Sequence, residues 1–210
     1  MSGLDDLLAE SNERWQWAMK RADGVEDVCL GRAVRSYYLR YFPVGFLALL
    51  VLGIGGGILL FGTTAADWAN YLSVGLLLST LGAFVGGLIY NAKKVAPSVR
   101  LNTLDVLFRL AESERKNITA QITGKAPLER EHLPVVRAAG VQRLKGLATQ
   151  LIIMPAYPLM FASQTLNWAG RDEMFVWIGV VASGVGIIGI ALLFRDFRRT
   201  ARFLEATAKG

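Results

Sequence analysis

Four stretches of about twenty residues, none holding a charged side chain, constrain this chain more than any other feature. They are Phe42–Gly62, Tyr71–Tyr90, Gly146–Leu166 and Met174–Phe194. A bilayer core is crossed by roughly 20 mostly apolar residues of α-helix, because in lipid every backbone polar group must be paired within its own segment. The surface helix of a soluble protein shows a charged or polar face, and these four runs carry no charge anywhere. They predict an all-α, polytopic membrane protein built on a four-transmembrane-helix bundle.

The basic residues predict its orientation. Of 23 Lys and Arg, 22 lie before the first run, between the second and third, or after the fourth. The short connections 63–70 and 167–173 hold only Arg171. Positive charge is retained on the cytoplasmic side. The expected topology is therefore N-in/C-in, with two parallel-oriented hairpins in a cell inner (plasma) membrane. Tyr37, Tyr38, Tyr41 and Tyr90 mark the inner interface, and Trp68, Trp168 and Trp177 the outer one. The acidic opening MSGLDDLLAESNER lacks the apolar centre of a cleavable signal, so the first run is the expected insertion signal.

This reading divides the chain into a cytoplasmic helical segment (1–41), hairpin 1 (42–90, spans 42–62 and 71–90), a cytoplasmic helical loop (91–145), hairpin 2 (146–194, spans 146–166 and 174–194) and a basic amphipathic tail (195–210). In the first segment Leu4, Leu7, Leu8, Trp15 and Met19 recur at helical spacing, with a break near Asp23-Gly24, and Pro43 suits the start of span one. In the loop, Pro97 is expected to open a helix carrying Leu101, Leu104, Phe108, Ala111 and Ile118, which Gly124 and Pro127 interrupt. A second helix from Pro134, with Val135, Val136, Val141 and Leu144, runs into span three. In the tail, Phe197, Ala201 and Leu204 form a stripe that fits either the inner leaflet or the other cytoplasmic helices.

Small residues four apart are the clearest pattern inside the spans. Gly53, Gly57, Gly75, Ser79, Gly82, Ala83, Gly86, Gly179, Ser183 and Gly186 are the candidate helix-packing positions, since small side chains let backbones approach where lipid gives no hydrophobic drive. Span three is more polar, and Pro155 and Pro158 break its hydrogen-bond ladder. A freed carbonyl there must meet water, a side chain or an ion, so Gln150, Pro155, Tyr157 and Pro158 are candidates for lining a cavity. Arg35, Arg40, Lys93, Lys94, Arg143, Lys145, Arg195, Arg198 and Arg199 flank the spans as candidate contacts to anionic lipid headgroups.

Several chemistries find no support. The formal net charge of +6 suits membrane topology, and with no recognition motif beside it nucleic acid is not an expected partner. No span holds Asp, Glu, Lys, Arg or His, the groups that proton relays and voltage sensors place at depth. The single Cys29 makes no intrachain disulfide and is expected as a small buried apolar residue. The sole histidine, His132, follows the carboxylates Glu129 and Glu131 in LEREHLP, read as a solvated loop, and one histidine does not compose a zinc site. No catalytic, cofactor-binding or metal residue is expected. The expected function is that of a non-enzymatic membrane protein acting through helix packing and cytoplasmic interactions, with a membrane-protein partner or as a homo-oligomer. The alternatives are an oligomeric channel and a small-molecule carrier.

Overall fold

The computed structural model describes residues 2–62, 68–100 and 105–208, with side chains from residue 9 onward. Among them are six helices: α1 (Ser2–Ala22), α2 (Leu30–Phe61), α3 (Trp68–Ser98), α4 (Glu112–Ile122), α5 (Arg130–Trp168) and α6 (Glu173–Thr207). Helices α2, α3, α5 and α6 are each long and apolar enough to cross a membrane. Two short strands, β1 (Glu26–Asp27) and β2 (Val99–Arg100), pair antiparallel with Glu26 opposite Arg100. The side chains of Leu4, Leu7 and Leu8, and all of Leu101 and Leu104, lie outside the described residues.

The chain forms two compact units. The first gathers Met1–Leu30, Pro97–Leu147 and Asp196–Gly210. Its core holds Ala18, Val106, Leu110, Ile118, Ile122, Val135 and Val136, contributed by α1, the 105–111 segment, α4 and the first part of α5. Helix α1 is followed by Gly24, whose φ of +74° is strained for any residue bearing a Cβ. Helix α4 begins where Glu114 reaches back to the Ala111 N–H (2.7 Å). It ends in a Schellman arrangement: Lys125 N–H donates to the Ala120 carbonyl (2.7 Å), with Gly124 at φ +63°. In the tail, Phe197 and Leu204 are buried, and Gly140 of α5 leaves room for Leu204, whose Cδ2 would lie 3.0 Å from an added Cβ. The tail stripe thus packs on protein.

Two local expectations are corrected. Cys29 is exposed, because it precedes the first turn of α2 and Leu30 takes the buried place beside it. Pro97 opens no helix: residues 96–98 are a 3₁₀ turn closing α3, β2 follows, and α4 starts only at Glu112, leaving Phe108 exposed in a turn. Pro43 lies in the first turn of the α-helical stretch Phe42–Phe61, within the longer helix α2. A π-helical segment, Tyr37–Tyr41, precedes it, and there Phe42 N–H donates to the Tyr37 carbonyl five residues back. The α-helical stretch Trp68–Tyr90 of α3 is followed by a second π segment, Asn91–Val95, and the 3₁₀ turn to Ser98.

The second unit comprises Gly31–Ala96 and Ala148–Arg195. Helix α3 is central, packing on α2 along one side and on α5 along another. A Cβ on Gly53 of α2 would lie 2.5 Å from the Gly75 Cα, and one on Gly75 of α3 would lie 2.8 Å from the Leu50 carbonyl. Gly57 faces the Tyr71 ring, and Gly82 lies under Leu49, whose Cδ1 occupies the place a Cβ would take. Ser79 is fully buried and donates to the Gly75 carbonyl (2.8 Å), with the Phe46 carbonyl 3.2 Å away. Ser73 and Ser163 join α3 to α5 reciprocally, each hydroxyl donating to the other's carbonyl at 2.9 Å. Between α5 and α6, Gly179 lies under Thr165, Gly186 faces the Pro158 ring, and Ser183 Oγ is 3.4 Å from the Pro158 carbonyl.

The outward faces of α2 and α6 are apolar and bare: Leu59, Leu60, Trp177 and Ile187 are each more than 60% exposed. A soluble monomer rarely shows so extensive an apolar surface, whereas lipid solvates it. Gly53→Ala should lower the stability of the detergent-solubilised chain by about 1–3 kcal/mol, since its Cβ meets backbone. Gly86→Ala, whose Cβ meets nothing within 4 Å, should leave the melting temperature unchanged. Thermal unfolding of the two variants checks the contrast.

Candidate functional site

The most structured polar chemistry in the second unit surrounds the break in α5. Proline has no N–H, so Pro155 leaves the Leu151 carbonyl, four residues back, without its helical donor. The Tyr38 hydroxyl supplies one at 2.6 Å, and the Tyr37 hydroxyl donates to the next carbonyl, Ile152, at 3.0 Å. The chain turns at Met154–Pro155, where Tyr157 N–H donates to the Met154 carbonyl (3.1 Å), before the helix resumes at Ala156. Leu151, Ile152 and Pro155 are all buried. Gly87 of α3 is part of the same arrangement, since an added Cβ would lie 3.1 Å from the Ile152 carbonyl.

These tyrosines begin an aromatic cluster. Tyr37 lies 5.1 Å from Tyr90 between ring centroids, Tyr90 lies 5.0 Å from Tyr41, and Tyr38 meets Phe194 of α6 edge-on at 5.7 Å. The Tyr90 hydroxyl donates to the Ala33 carbonyl (2.8 Å), which pins its ring at the start of α2. Each π segment adjoins the cluster, one containing Tyr37, Tyr38 and Tyr41 and the other following Tyr90 directly. Widened π turns of this kind recur at functional sites. Thr149 of α5 donates to the Asn91 side-chain carbonyl in the second π segment (3.0 Å).

Beside the cluster, α2 and α3 separate around a groove of about 170 Å³. Tyr41, Phe42 and Gly45 line it from α2, and Ala83, Gly86 and Tyr90 from α3. Gly45 and Gly86 face open space, unlike the tightly packed glycines nearer the other end of these helices. The predicted cavity residues are placed otherwise. Pro155 is buried and Pro158 half-buried against α6, but Gln150 and Tyr157 are exposed, and none of the four lines this groove. Of the predicted headgroup contacts, Arg143 and Lys145 are half-buried and the other seven are exposed.

A second cluster lies wholly in the first unit. Glu114 accepts from Trp15 Nε1 (3.1 Å) and Ser11 Oγ (3.4 Å), with Arg14 Nε 3.8 Å away. His132 stacks on Trp15 at 3.7 Å between centroids, with the rings nearly parallel. This places the histidine against α1 instead of in a solvated loop, while Glu129 accepts from Asn117 (2.9 Å). Nearby on α1, the guanidinium groups of Arg21 and Arg109 lie over the Trp17 ring, each 5.3 Å from its centroid. Among the described residues no three His, Cys, Asp or Glu side chains gather as a metal site.

Compared with known proteins, the chain matches no family model, no curated protein and no solved structure. Tyr38→Phe should destabilise the protein by about 1–3 kcal/mol, because it orphans a buried carbonyl. In a Pro155→Ala background, where an N–H returns to Leu151, the same change should cost less than half as much. A double-mutant cycle of unfolding in detergent measures the coupling, and equal costs in both backgrounds would refute it.

Proposed function

We propose that this chain is a non-enzymatic, multi-pass protein of a cell inner membrane, with both termini cytoplasmic, that serves as a scaffold, assembly factor or regulatory partner. The observation that carries the proposal is the surface of the first unit. The guanidinium groups of Arg21 and Arg109 each lie over the Trp17 ring, and the neighbouring Phe108 is 63% exposed. Tryptophan and arginine are the residues that most often dominate binding energy at protein interfaces. An exposed phenylalanine beside them has no part in the unit's own core, whereas a partner protein would bury it. The distribution of Lys and Arg supports assigning this unit to the cytoplasm, because all but one of the basic residues lie outside the short connections. The packed glycines and the Ser73–Ser163 pair support a membrane unit that is a stable anchor.

An oligomeric channel is the weaker reading. It draws on the broken α5, but the carbonyl freed by Pro155 is already taken by Tyr38, and Gln150 and Tyr157 lie on the outside of the unit.

Two measurements test the proposal. Cys29, the sole and exposed cysteine, should resist a membrane-impermeant maleimide in intact cells and react after permeabilisation, whereas Ala169→Cys in a Cys29→Ser background should react from outside. Extraction in mild detergent should then recover a stable partner protein or a homo-oligomer, and Phe108→Asp should weaken that association at least tenfold. A monodisperse monomer with nothing bound would overturn the reading.

A further inference from the structure

The groove between α2 and α3 is shaped differently from the helix contact it continues. Where the two helices pack, their glycines are used up by contact: Gly53 meets Gly75, and Gly82 meets Leu49. Toward the aromatic cluster the helices carry glycine on both walls, yet Gly45 and Gly86 touch nothing across the gap. Their lack of side chains leaves a space instead of bringing the backbones together. Tyr41 and Gly86 are exposed, so the space opens on the outer surface of the unit, where lipid would lie. It runs beside α2 from Tyr37 to Leu49, roughly 18 Å along the helix axis. Its volume of about 170 Å³ is close to that of an apolar cavity (~150 Å³) that admits a benzene-sized guest, so it suits part of one hydrocarbon chain.

The end of the groove has a distinct chemistry. The charge-free run of α2 starts immediately after Arg40 and Tyr41, and that of α3 ends at Tyr90, shortly before Lys93 and Lys94. Both π segments fall at this boundary, and each carries exposed basic residues, Arg40 in one and Lys93 with Lys94 in the other. The lysines follow Tyr90 by three and four residues, which keeps them near the face that Tyr90 presents to the groove. Hydrogen bonds from Tyr37 to Ile152 and from Tyr90 to Ala33 fix two of the rings that line the groove. Along each of the two helices an apolar slot, a tyrosine-lined end and exposed cations thus follow one another in the order of an acyl chain, an ester region and an anionic headgroup.

We propose that this groove is a binding site for an anionic phospholipid, with one acyl chain along Gly45 and Gly86 and the phosphate held by Arg40, Lys93 and Lys94. A second copy of the chain is the competing occupant. It fits less well, because a partner helix bringing apolar side chains to the glycines gives the three cations nothing to neutralise.

The test titrates the full chain, purified in a neutral detergent, with phosphatidylglycerol or with phosphatidylcholine of identical acyl chains, and counts bound lipid by native mass spectrometry. One phosphatidylglycerol should be retained with an affinity at least about tenfold above that of phosphatidylcholine. Gly86→Leu, which fills the groove, should lower phosphatidylglycerol affinity about tenfold, and the pair Lys93→Ala/Lys94→Ala should abolish the preference between the lipids. Equal retention of the two lipids by the unmodified chain overturns the proposal, whatever the variants do. So does undiminished phosphatidylglycerol binding by Gly86→Leu with native helicity, or a change of oligomeric state in that variant with lipid binding intact. Should Gly86→Leu fail to fold, Gly45→Leu fills the same space from α2. The outcome is independent of whether the first unit captures a protein partner.

Discussion

Pro155 withdraws an amide proton from the middle of α5, and the carbonyls it affects are buried by protein, where no water is at hand to replace it. The Leu151 carbonyl must therefore be satisfied by protein. The Tyr38 hydroxyl does so, with Tyr37 donating to the adjacent Ile152 carbonyl. This requirement ties α2 to α5 at a defined height and holds the aromatic cluster where it stands. The π segment at Tyr37–Tyr41 offers a reason for the unusual turn: it adds a residue to the helix at the point where two consecutive tyrosines reach the same stretch of α5.

From that anchor the rest of the second unit follows by close approach. Gly87 admits the α5 backbone, Ser73 and Ser163 exchange hydrogen bonds further along, and Gly53 and Gly75 bring α2 against α3. Lipid is as apolar as leucine, so contact and hydrogen bonding must supply the association that water-driven burial supplies elsewhere. The first unit obeys the other rule. Its three separate stretches of chain converge on a core of Ile118, Ile122, Val135 and Val136, the pattern of a water-soluble domain.

Much of this was legible in the residues. Charge-free runs of span length announce helices whatever their partners, and Pro155 announces a freed carbonyl. Gly124 announced the end of α4. Other features depended on contacts that no local pattern encodes. Nothing in LEREHLP indicates that His132 stacks on Trp15, because the two meet only when α5 lies beside α1. The glycines illustrate the same limit. Gly82 and Gly86 share one GxxxG spacing, yet one lies under Leu49 and the other faces open space. Spacing states that a helix face is smooth, not what rests on it.

By itself the sequence determined that this protein has four membrane-length helices, because hydrophobic length is a property of each segment and needs no neighbour to express it. It also determined where the backbone must bend, since the missing amide of proline and the positive φ of Gly24 and Gly124 are local requirements. Only the tertiary structure decided which group answers Pro155, which glycines are packed and which are left open, and that α2 and α3 continue beyond their apolar runs through π turns. Those outcomes are settled by competition among side chains distant in the chain, and the tyrosines prevailed because Leu151 and Ile152 are fully buried by protein, where water does not compete.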